Sequence, residues 1–534
     1  MLKKNPLFLS ILSAAILSIA WPPLPTGLLL FIGFVPLLIV HHLLRDTKKK
    51  NLKFWLYTCL SVLIWNIATT WWVWNASPTG CLMMLFVNTL FMSVPFVLFT
   101  HAHKLFPKAS YFLFIPLYLG MEYLHFNWNA SWPWLTLGKG LAAVPNYIQW
   151  YEYSGEMGGS LLILLVNVWI VHLIAKGNVK KIWMPLALVL LFAGLSSLCA
   201  FNNFSFRKGI TNNIECIVVQ PNIDPYEQKF ADGSNYLEPE IQLECALDST
   251  LPLITNKTQL LVFPETALVG FNNEATLNYL GLINPLRKLS KDSNLCIISG
   301  AESYVIYPND KNNKPSKTAR FDEFSSQWYD SYNTALNIKN DSVSEIYHKS
   351  KLVAGVEKMP FEFLEELSIN LGGTSGSLGS SDKAINFKLN NGVKIAPLIC
   401  YESIYGDYTN DFVNDGAQIL SVITNDGWWG QTQGHKQHLL YGAIRCIETR
   451  REMVRSANTG ISAKINKFGN ITHQTKYNER KAFKCNITPN SKITFYTKYG
   501  NIIGKVSYYL ALLIALMVLI GRFIRRKPQK SLES

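Results

Sequence analysis

Three residues of this 534-residue chain have side chains that could together carry out acyl transfer. Cys400 and Glu265 each follow a short apolar run, and Lys349 lies between them in the chain. A cysteine thiolate can attack a carbonyl carbon, and a nearby carboxylate can accept the thiol proton. A lysine ammonium, together with backbone N–H groups, can stabilise the oxyanion that then forms. These residue types indicate a nucleophilic acyl-transfer site that needs no histidine.

Each of these residues also has an ordinary structural interpretation when it is considered alone. A free cysteine is most often a packing residue. Glu265 could be a solvated turn carboxylate, and Lys349 could form a surface basic pair with Lys351. Glu402, two residues after the cysteine, could equally be a surface acid. The functional interpretation depends on their occurring together at the ends of predicted elements.

Strands and helices alternate along residues 201–503, and the candidate residues lie at strand ends or in the adjoining loops. Short apolar runs predict strands at Cys216–Gln220, Leu260–Glu265, Leu295–Gly300, Asn333–Ile338, Lys394–Tyr401 and Gln418–Thr424. Apolar periodicity predicts helices over 236–249, 275–290 and 434–451. This alternation is typical of a layered α/β domain, which commonly carries its site at the strand ends.

Apolar runs that could cross a bilayer occupy most of the first 200 residues and one stretch near the end. They cover 6–21, 27–44, 55–73, 82–101, 111–126, 158–175, 182–200 and 504–521. Because about 20 apolar residues span the hydrocarbon core, the sequence predicts eight membrane spans. The first run has no small-residue cleavage site after it, so we expect an uncleaved helix.

Basic residues are concentrated in alternate loops between these runs, which accounts for much of the net charge of +14. The basic segments are Lys3-Lys4, 45–53, 103–108, 176–181 and 522–530, whereas the loops 22–26, 74–81 and 127–157 are poor in lysine and rich in Trp, Pro and Asn. By the positive-inside rule both termini are cytoplasmic and residues 201–503 lie outside the membrane. No basic stripe interleaved with aromatic residues occurs elsewhere, so we expect no nucleic-acid partner.

Loop 127–157 is long and rich in aromatic residues, including Trp134 and Tyr151. Two interpretations are open: an interfacial aromatic belt, or a lipid-facing platform near the headgroups. The nine cysteines form neither a CxxC pair nor a metal-like Cys/His spacing, so we expect no zinc site and at least one free thiol.

The order of short motifs along the chain resembles the nitrilase superfamily. The motifs are Phe263-Pro264-Glu265, Tyr332-Asn333-Thr334, Tyr347-His348-Lys349, Cys400-Tyr401-Glu402 and Asn425-Asp426. Together with eight predicted spans around an exported domain, they resemble the family of apolipoprotein N-acyltransferases along nearly the whole chain. The resemblance implies an αββα sandwich inserted between membrane helices: a seven-helix domain 1–200, a catalytic domain 201–503, and a final helix with a basic tail 504–534.

The resemblance also implies roles for particular residues. Glu265 would be the general base, Lys349 the oxyanion-stabilising lysine and Cys400 the nucleophile. Glu357, Glu402 and Asn333 match supporting positions, and Tyr401 and Trp428 match aromatic residues of the acyl and substrate region. Further matches are Gln220 and Asn222 at the start of the exported domain and Arg455-Ser456-Ala457-Asn458-Thr459-Gly460 near its end.

One loop departs from the family pattern. The family often has Pro-Phe-Gly before the acidic residue that follows the lysine, where this chain has Ala354-Gly355-Val356 before Glu357. The acid keeps its spacing, so the difference concerns the shape of the loop and the lipid that it admits.

The implied reaction moves an acyl chain from a phospholipid, through a Cys400 thioester, to the α-amino group of a diacylglyceryl-cysteine at the start of an apolipoprotein. The implied partners are the phospholipid donor, the apolipoprotein acceptor and membrane lipids. The resemblance further implies a monomer in a bacterial inner membrane, with a periplasmic catalytic domain and without cofactor or metal.

Two other functions remain open on the sequence. A membrane-anchored amidase of the nitrilase type would use the same residues with water as acceptor, although it has no evident use for eight spans. A transporter or lipid-binding protein with an inactive domain is the other. Few ionisable residues interrupt the spans, which disfavours transport.

Overall fold

The computed structural model describes residues 5–107, 110–205, 213–308, 314–359, 370–371, 374–375 and 377–526. The predicted basic residues Lys3 and Lys4 and the tail 527–530 lie outside these ranges. The chain forms two compact units. The helical unit comprises Met1–Trp71, Cys81–Cys199 and Asn501–Ser534, and the sheet unit comprises Trp72–Gly80 and Ala200–Gly500.

Fifteen α-helices occur in the described part of the chain. In order they are α1 (Pro6–Ile19), α2 (Leu30–Gly33), α3 (Val35–Leu44), α4 (Lys50–Thr70), α5 (Val73–Ala76), α6 (Pro78–Leu105), α7 (Ser110–Phe126), α8 (Tyr151–Ala175), α9 (Trp183–Ser205), α10 (Pro239–Asp248), α11 (Asn284–Ser293), α12 (Gly406–Asn414), α13 (Gln433–Thr449), α14 (Phe495–Tyr499) and α15 (Ile502–Arg526).

Several helices of the helical unit are long and apolar, as the sequence predicts. Among the described residues, six stretches have the length and hydropathy to cross a membrane: Gly27–Leu44, Lys50–Thr70, Pro78–Leu105, Tyr151–Ala175, Val179–Asn202 and Ile502–Gly521. The apolar helix α1 is shorter, with 14 residues, and α7 has 17. Six of the eight predicted spans therefore coincide with helices of full spanning length, and the count of eight stays a prediction.

A buried asparagine joins helices inside the helical unit. The side chain of Asn167 on α8 donates to the Leu30 carbonyl oxygen at 2.8 Å and accepts from the Phe34 N–H at 2.8 Å. Leu30 is the first residue of α2 and Phe34 directly follows its last residue, so the Asn167 amide bridges the two ends of this short helix and links it to α8.

The aromatic loop before α8 is folded into the helical unit. Trp134 and Tyr151 are fully buried, and the Tyr151 hydroxyl donates to the Gly138 carbonyl oxygen at 2.9 Å. Trp132 stacks on Trp134 with ring centroids 5.2 Å apart. The interpretation of this loop as a lipid-facing platform is therefore wrong for Trp134 and Tyr151, because packing and hydrogen bonding enclose both rings.

The sheet unit contains sixteen described strands. They are β1 (Ile214–Gln220), β2 (Thr258–Val262), β3 (Leu268–Asn273), β4 (Cys296–Ile306), β5 (Arg320–Asp322), β6 (Gln327–Lys339), β7 (Ser342–His348), β8 (Asn370–Leu371), β9 (Thr374–Ser375), β10 (Phe387–Lys388), β11 (Lys394–Ile399), β12 (Ile419–Thr424), β13 (Met453–Ala457), β14 (Ala463–Ile465), β15 (Ile471–Gln474) and β16 (Lys481–Ile487).

The strands form two large mixed sheets and one small hairpin. The first sheet has the order β16-β1-β2-β4-β6-β5, with β3 beside β4 and β7 beside β6, and the second has the order β10-β11-β12-β13-β14-β15. The pairs β1/β2 and β2/β4 are parallel in the first sheet, as are β11/β12 and β12/β13 in the second. Strands β4, β6 and β7 pair antiparallel.

Helices cover the first sheet, and the two sheets contact each other. Leu243 on α10 and Leu286 on α11 belong to one buried cluster with Ile217, Leu261 and Ile297 of the first sheet. Strands β1 and β2 contact β13 of the second sheet, and α12 packs against β11. The runs of buried residues in β1, β2 and β11 agree with strands that are covered on both faces.

The predicted elements agree with the structure except at some boundaries. All six predicted strands occur, but β11 ends at Ile399 and a 3₁₀ turn begins at Cys400. The predicted helix 275–290 is wrong in its first part, where 3₁₀ turns occupy Glu274–Tyr279 and Gly281–Ile283 before α11 begins. Pro285 favours a helix start at this point because it cannot donate a hydrogen bond in a helix interior.

Candidate active site

Cys400 lies on a sharp turn at the end of β11. Its φ is +49°, in the left-handed region that a residue with a Cβ rarely adopts, and the 3₁₀ turn Cys400–Ile404 follows directly. The residue is 8% exposed. A side chain held in this backbone conformation at a strand end is presented away from the strand, and such strain is common at functional sites.

Two carboxylates share the ammonium group of Lys349. Its Nζ lies 2.8 Å from Glu357 Oε1 and 3.3 Å from Glu265 Oε1. The side-chain exposures are 1% for the lysine, 11% for Glu357 and 7% for Glu265. Lys349 is therefore not part of a surface basic pair, and Glu265 is not a solvated turn residue. We call Glu265, Lys349 and Glu357 the lysine cluster.

Asn333 and one backbone amide fix the orientation of the carboxylates. The Asn333 side-chain amide donates to Glu265 Oε1 at 2.7 Å and to Glu357 Oε1 at 3.1 Å. The Asn425 N–H donates to Glu265 Oε2 at 2.9 Å. The predicted supporting role of Asn333 thus has a definite geometry: it bridges both acids of the lysine cluster.

Electrostatic interactions link the cysteine thiol to this cluster. Burial raises the pKa of the Cys400 thiol and the Glu265 carboxylate raises it further, whereas the Lys349 ammonium lowers it. Burial alone would lower the pKa of Lys349, but the carboxylates of Glu357 and Glu265 raise it above its ordinary value. These shifts favour the charged form of the lysine and the protonated form of the thiol, so thiolate formation needs a base.

Glu402 is fully buried and holds together the backbone on both sides of the site. Its Oε1 accepts from the Tyr347 hydroxyl at 2.5 Å and from the Ser350 N–H at 2.6 Å. Its Oε2 accepts from the Ile399 N–H at 2.8 Å. Glu402 is not a surface acid: it joins the segment that follows Lys349 to the strand end that precedes Cys400.

The loop that departs from the family pattern supports Glu357 by local hydrogen bonds. Glu357 Oε2 accepts from the Val353 N–H at 2.9 Å, and the Glu357 N–H donates to the Val353 carbonyl oxygen at 2.9 Å. Gly355 has a φ of +80°, and its N–H donates to the Lys358 carbonyl oxygen at 2.8 Å. A tight glycine turn therefore delivers the acid to Lys349 without the proline of the usual pattern.

Behind Cys400 lies a buried network in which the motif residues Asp426 and Arg455 meet His438, a residue that the sequence analysis missed. The His438 Nε2 lies 3.1 Å from the Cys400 carbonyl oxygen, and the Ser403 hydroxyl donates to the same oxygen at 2.8 Å. The His438 Nδ1 lies 3.0 Å from Asp426 Oδ1, and Arg455 Nη2 donates to Asp426 Oδ2 at 2.5 Å. We call His438, Asp426 and Arg455 the carbonyl cluster.

The charged groups of the carbonyl cluster pair with one another and are shielded from solvent. All three side chains are fully buried. Burial alone would raise the pKa of Asp426, but Arg455 and His438 lower it well below its usual range. Burial and the Arg455 charge lower the pKa of His438, against the effect of Asp426. The permanent ion pair of Asp426 and Arg455 therefore orients the imidazole toward the Cys400 carbonyl.

A second lysine near the site was also missed. Lys229 is 1% exposed, and its Nζ lies 3.4 Å from the Glu265 carbonyl oxygen. Burial lowers the pKa of Lys229 to about 8, while the carboxylates of Glu302 and Glu265 act in the opposite direction. Its position in an irregular stretch between β1 and α10 gives no pattern from which this contact could be predicted.

The predicted aromatic residues lie on either side of these clusters. Tyr401 is 2% exposed and packs edge-on against Tyr405, with centroids 5.4 Å apart. The Trp428 ring stacks on Phe230 at 5.8 Å and meets Tyr226 edge-on at 5.2 Å. Trp428 is half-buried.

The short segment Trp72–Gly80 packs against the loop that carries Trp428 within the sheet unit. Trp72 is fully buried and lies 4.8 Å from the Trp429 ring. The Asn75 side chain donates to the Trp429 carbonyl oxygen at 2.9 Å. The Tyr226 hydroxyl lies 2.9 Å from the carbonyl oxygens of both Asn75 and Trp428. Residues far apart in sequence thus fix this loop.

The structure does not bring the remaining motif residues into the lysine cluster. Gln220 accepts from the Ser462 N–H at 2.9 Å, and the Asn222 N–H donates to the Asn458 carbonyl oxygen at 2.9 Å. The Asn458 side chain donates to Asn425 Oδ1 at 3.2 Å. These residues support the loop that presents the Asn425 N–H to Glu265.

Two family models match consecutive parts of the chain and confirm the resemblance drawn from the motifs. The apolipoprotein N-acyltransferase N-terminal domain matches residues 13–169, and carbon-nitrogen hydrolase matches residues 219–490. The second match includes the lysine and carbonyl clusters.

Relatives of similar length carry the same name as the first of these models. The apolipoprotein N-acyltransferase of Chlorobaculum tepidum is 28% identical over 539 residues, which covers 98% of both chains. That of Bdellovibrio bacteriovorus is 25% identical, covering 96% of this chain and 93% of its own. A solved CN-hydrolase superfamily protein from Xanthomonas campestris is 14% identical with a TM-score of 0.35, covering 52% of this chain and 91% of its own.

The matched hydrolase region extends over more than half of the 534 residues and contains the strand ends that carry Glu265, Lys349 and Cys400. The chain belongs to the carbon-nitrogen hydrolase family.

Proposed function

We propose that the protein transfers an acyl chain from a membrane phospholipid to the α-amino group of the diacylglyceryl-cysteine at the start of an apolipoprotein. The observation that carries this proposal is the buried Lys349 ammonium, shared by Glu265 and Glu357 and interacting with the Cys400 thiol. The match to the apolipoprotein N-acyltransferase N-terminal domain supports lipid substrates for this reaction.

The first half-reaction forms a thioester. Glu265 accepts the thiol proton, and the Cys400 sulfur attacks the ester carbonyl carbon of the phospholipid. Lys349 stabilises the oxyanion of the tetrahedral intermediate. The carbon–oxygen bond then breaks, and the lysophospholipid alcohol leaves with the proton from Glu265.

The second half-reaction releases the acyl chain to the amine. The free α-amino nitrogen attacks the thioester carbon, Glu265 accepts a proton from the nitrogen, and Lys349 again faces the oxyanion. The carbon–sulfur bond breaks and the thiol regains its proton. These steps use only side chains of this protein, and Tyr401 and Trp428 would contact the acyl chain and the substrate.

The arrangement in the membrane is part of the proposal. The alternating basic loops and the apolar helices support eight spans, cytoplasmic termini and an extracytoplasmic domain over 201–503, and the family resemblance implies that this domain is an αββα sandwich. We propose that the protein works as a monomer in a bacterial inner membrane. Reporter fusions at Lys314 and Lys530 should then report opposite sides of the membrane, and signals from the same side would contradict this topology.

Mass spectrometry of the purified protein tests the thioester. After incubation with phospholipid, a fatty acyl group should be found on Cys400 and should be absent from Cys400→Ala. Cys296→Ala and Cys446→Ala are matched controls, because both cysteines are buried outside the site, and they should still form the acyl-enzyme. Equal loss in all three variants would mean that Cys400 is structural.

The acceptor distinguishes this proposal from hydrolysis, which the carbon-nitrogen hydrolase match also supports. A diacylglyceryl-cysteine peptide with a free amine should discharge the acyl-enzyme, and the same peptide with an acetylated amine should not. Discharge at the same rate with either peptide would identify water as the acceptor and the protein as an amidase-type hydrolase.

A further inference from the structure

The helical unit contains a cavity of about 490 Å³ that the proposed reaction does not use. It is formed where α3, α6 and α8 end and where α7 begins. Its lining residues are His41, His42, Arg45, His103, Pro107, Tyr111, Phe112, His172, Ala175 and Lys176. Three of the basic segments of the sequence, 45–53, 103–108 and 176–181, contribute to this lining. The cavity therefore lies at helix ends that we propose to be cytoplasmic.

The charged side chains that line the cavity are all basic. Four imidazoles, one guanidinium and one ammonium surround the cavity, and its described lining includes no acidic side chain. The nearby Asp46 pairs with Arg45 at 3.1 Å, but both side chains are exposed. A cavity lined by N–H donors and positive charge attracts a polyvalent anion.

Two imidazole nitrogens in this cavity are buried and have no hydrogen-bond partner among the described residues. They are Nδ1 of His41 and Nδ1 of His103, whose rings meet edge-on with centroids 5.0 Å apart. Capping of helix carboxyl ends could explain histidines here, but a capping ring would bond the terminal carbonyls. Unpaired buried polar atoms call for a ligand or another explanation.

A metal ion is not the ligand that these groups fit. The described residues include no cluster of three or more His, Cys, Asp or Glu side chains with the geometry to hold a metal ion. By contrast, Tyr111 and Phe112 lie in the first turn of α7, where backbone N–H groups have no acceptor within the helix. Helix amino ends favour anions, and phosphate above all.

We propose that this cavity binds a phosphate group, as a phosphodiester in the headgroup of an anionic phospholipid or as free phosphate. Lys176 and Arg45 supply the positive charge, and the imidazoles of His41 and His103 supply N–H donors. Basic pockets between membrane helices on the cytoplasmic side commonly bind anionic lipid headgroups. The site is separate from Cys400, and its failure would leave the proposed acyl transfer untouched.

Thermal unfolding of the full chain in non-ionic detergent measures this binding. The protein is titrated separately with dihexanoyl-phosphatidylglycerol, with inorganic phosphate, and with dihexanoylglycerol, which has the same acyl chains and no phosphate. A ligand that binds the folded state raises Tm with its concentration, which yields an apparent Kd. We expect phosphatidylglycerol or phosphate, but not dihexanoylglycerol, to raise Tm.

Variants of the lining residues test whether the rise in Tm comes from binding in this cavity. His103→Phe keeps a ring of similar size, and Lys176→Met keeps the aliphatic stem, so each removes one charge-assisted contact. We expect each to weaken the apparent Kd by about tenfold. Lys180→Met is the matched control, because Lys180 lies in the same basic segment but does not line the cavity. If His103→Phe fails to fold, the exposed Lys176 still gives the test.

The outcomes separate the two sources and can overturn the proposal. A shift with phosphatidylglycerol alone identifies a lipid headgroup, and a shift with inorganic phosphate that depends on the same lining residues identifies free phosphate. No shift with either, equal shifts with dihexanoylglycerol, or the same weakening in Lys180→Met as in Lys176→Met would overturn the proposed site.

Discussion

The two clusters that meet at Cys400 have opposite arrangements of charge. In the lysine cluster one cation faces two carboxylates, and the three side chains keep between 1% and 11% of their surface exposed. In the carbonyl cluster one carboxylate faces Arg455 and His438, and all three side chains have no exposed surface. The first interacts with the thiol, whereas the second holds the backbone carbonyl of the same residue.

This difference separates the groups whose charge changes during a reaction from those whose charge is constant. A base must gain and lose a proton, so it needs contact with substrate and a balance of opposing charges. The carbonyl cluster cannot act as a base in this way, because its three side chains are fully buried and have no contact with substrate. Its contribution is positional: it helps to hold Cys400 in its left-handed turn. The predictions below test this division of labour.

The largest effect is expected inside the lysine cluster. Lys349→Met removes the charge that we propose to face the oxyanion, which should slow thioester formation by about 10²–10³. Glu265→Gln removes the proton acceptor, and because burial already raises the pKa of the Cys400 thiol, little thiolate forms near neutral pH. Raising the pH should partly restore Glu265→Gln and should not restore Lys349→Met. Single-turnover thioester formation against pH measures both.

Reversal of that pattern would contradict the assigned roles. If base rescued Lys349→Met and left Glu265→Gln inactive, the lysine would be the group that titrates. The Tm of each variant serves as the control, because a loss that follows unfolding would report on stability and not on the reaction.

In the carbonyl cluster the main effect should fall on stability. Asp426→Asn leaves Arg455 buried without its counter-charge, which should lower the free energy of unfolding by about 3–5 kcal/mol. Asp415→Asn is the matched control, because Asp415 forms an exposed pair with Lys394, and surface pairs contribute at most about 1 kcal/mol. Denaturant unfolding measures both. A stable Asp426→Asn protein with a slowed thioester step would assign the cluster to the reaction itself.

Glu402 should give the protein a pH-dependent stability. Burial raises its pKa from 4.5 to about 7, although hydrogen bonds from Tyr347, Ile399 and Ser350 act in the opposite direction. The folded state therefore binds this proton more tightly than the unfolded state. The resulting stabilisation is complete below pH 4.5 and is lost as the pH rises through 7, by at most about 3 kcal/mol.

Comparison of the wild type with Glu402→Gln between pH 4.5 and 8 measures this contribution. The amide does not titrate, so the stability difference between the two proteins should shift against the wild type as the pH rises. A difference that is constant with pH would show that Glu402 is ionised throughout and is held by its hydrogen bonds alone.

The smallest effect is expected at the loop that carries Trp428. Tyr226→Phe removes only the hydroxyl that reaches the Asn75 and Trp428 carbonyl oxygens, at a cost of about 1 kcal/mol in unfolding free energy. Tyr279→Phe is the control, because Tyr279 is 86% exposed. Equal effects in the two variants would mean that the hydroxyl does not support the loop.

The sequence could predict Glu265 and Cys400 because both follow strands with a strong apolar signal, whereas the strand before Lys349 is only partly buried and is not among the predicted strands, so its motif identifies Lys349. Glu265, Lys349 and Cys400 come directly after β2, β7 and β11 or within a few residues of them. In a layered α/β fold such strand ends converge, so residue type and position together identify a site. The same reasoning predicts six strands, whose buried runs are long enough to detect.

Other parts could not be predicted, for physical reasons that differ from case to case. His438 lies in the middle of α13 and contacts a backbone carbonyl, for which no residue pattern exists. Strands β14 and β15 have only three and four residues, too short for alternation to show. The contact of Trp72 with Trp429 joins residues from distant parts of the chain, and only the folded structure brings them together.

That last contact affects how the sheet unit can be separated from the rest of the chain. Residues 72–80 belong to this unit but are synthesised well before residue 200, where its main part begins. A fragment starting at residue 200 would lack the buried Trp72 ring and the Asn75 amide that bonds the Trp429 carbonyl oxygen. The unit is therefore discontinuous in the sequence, and an expressed fragment of it needs residues 72–80 as well as the segment from 200 onward.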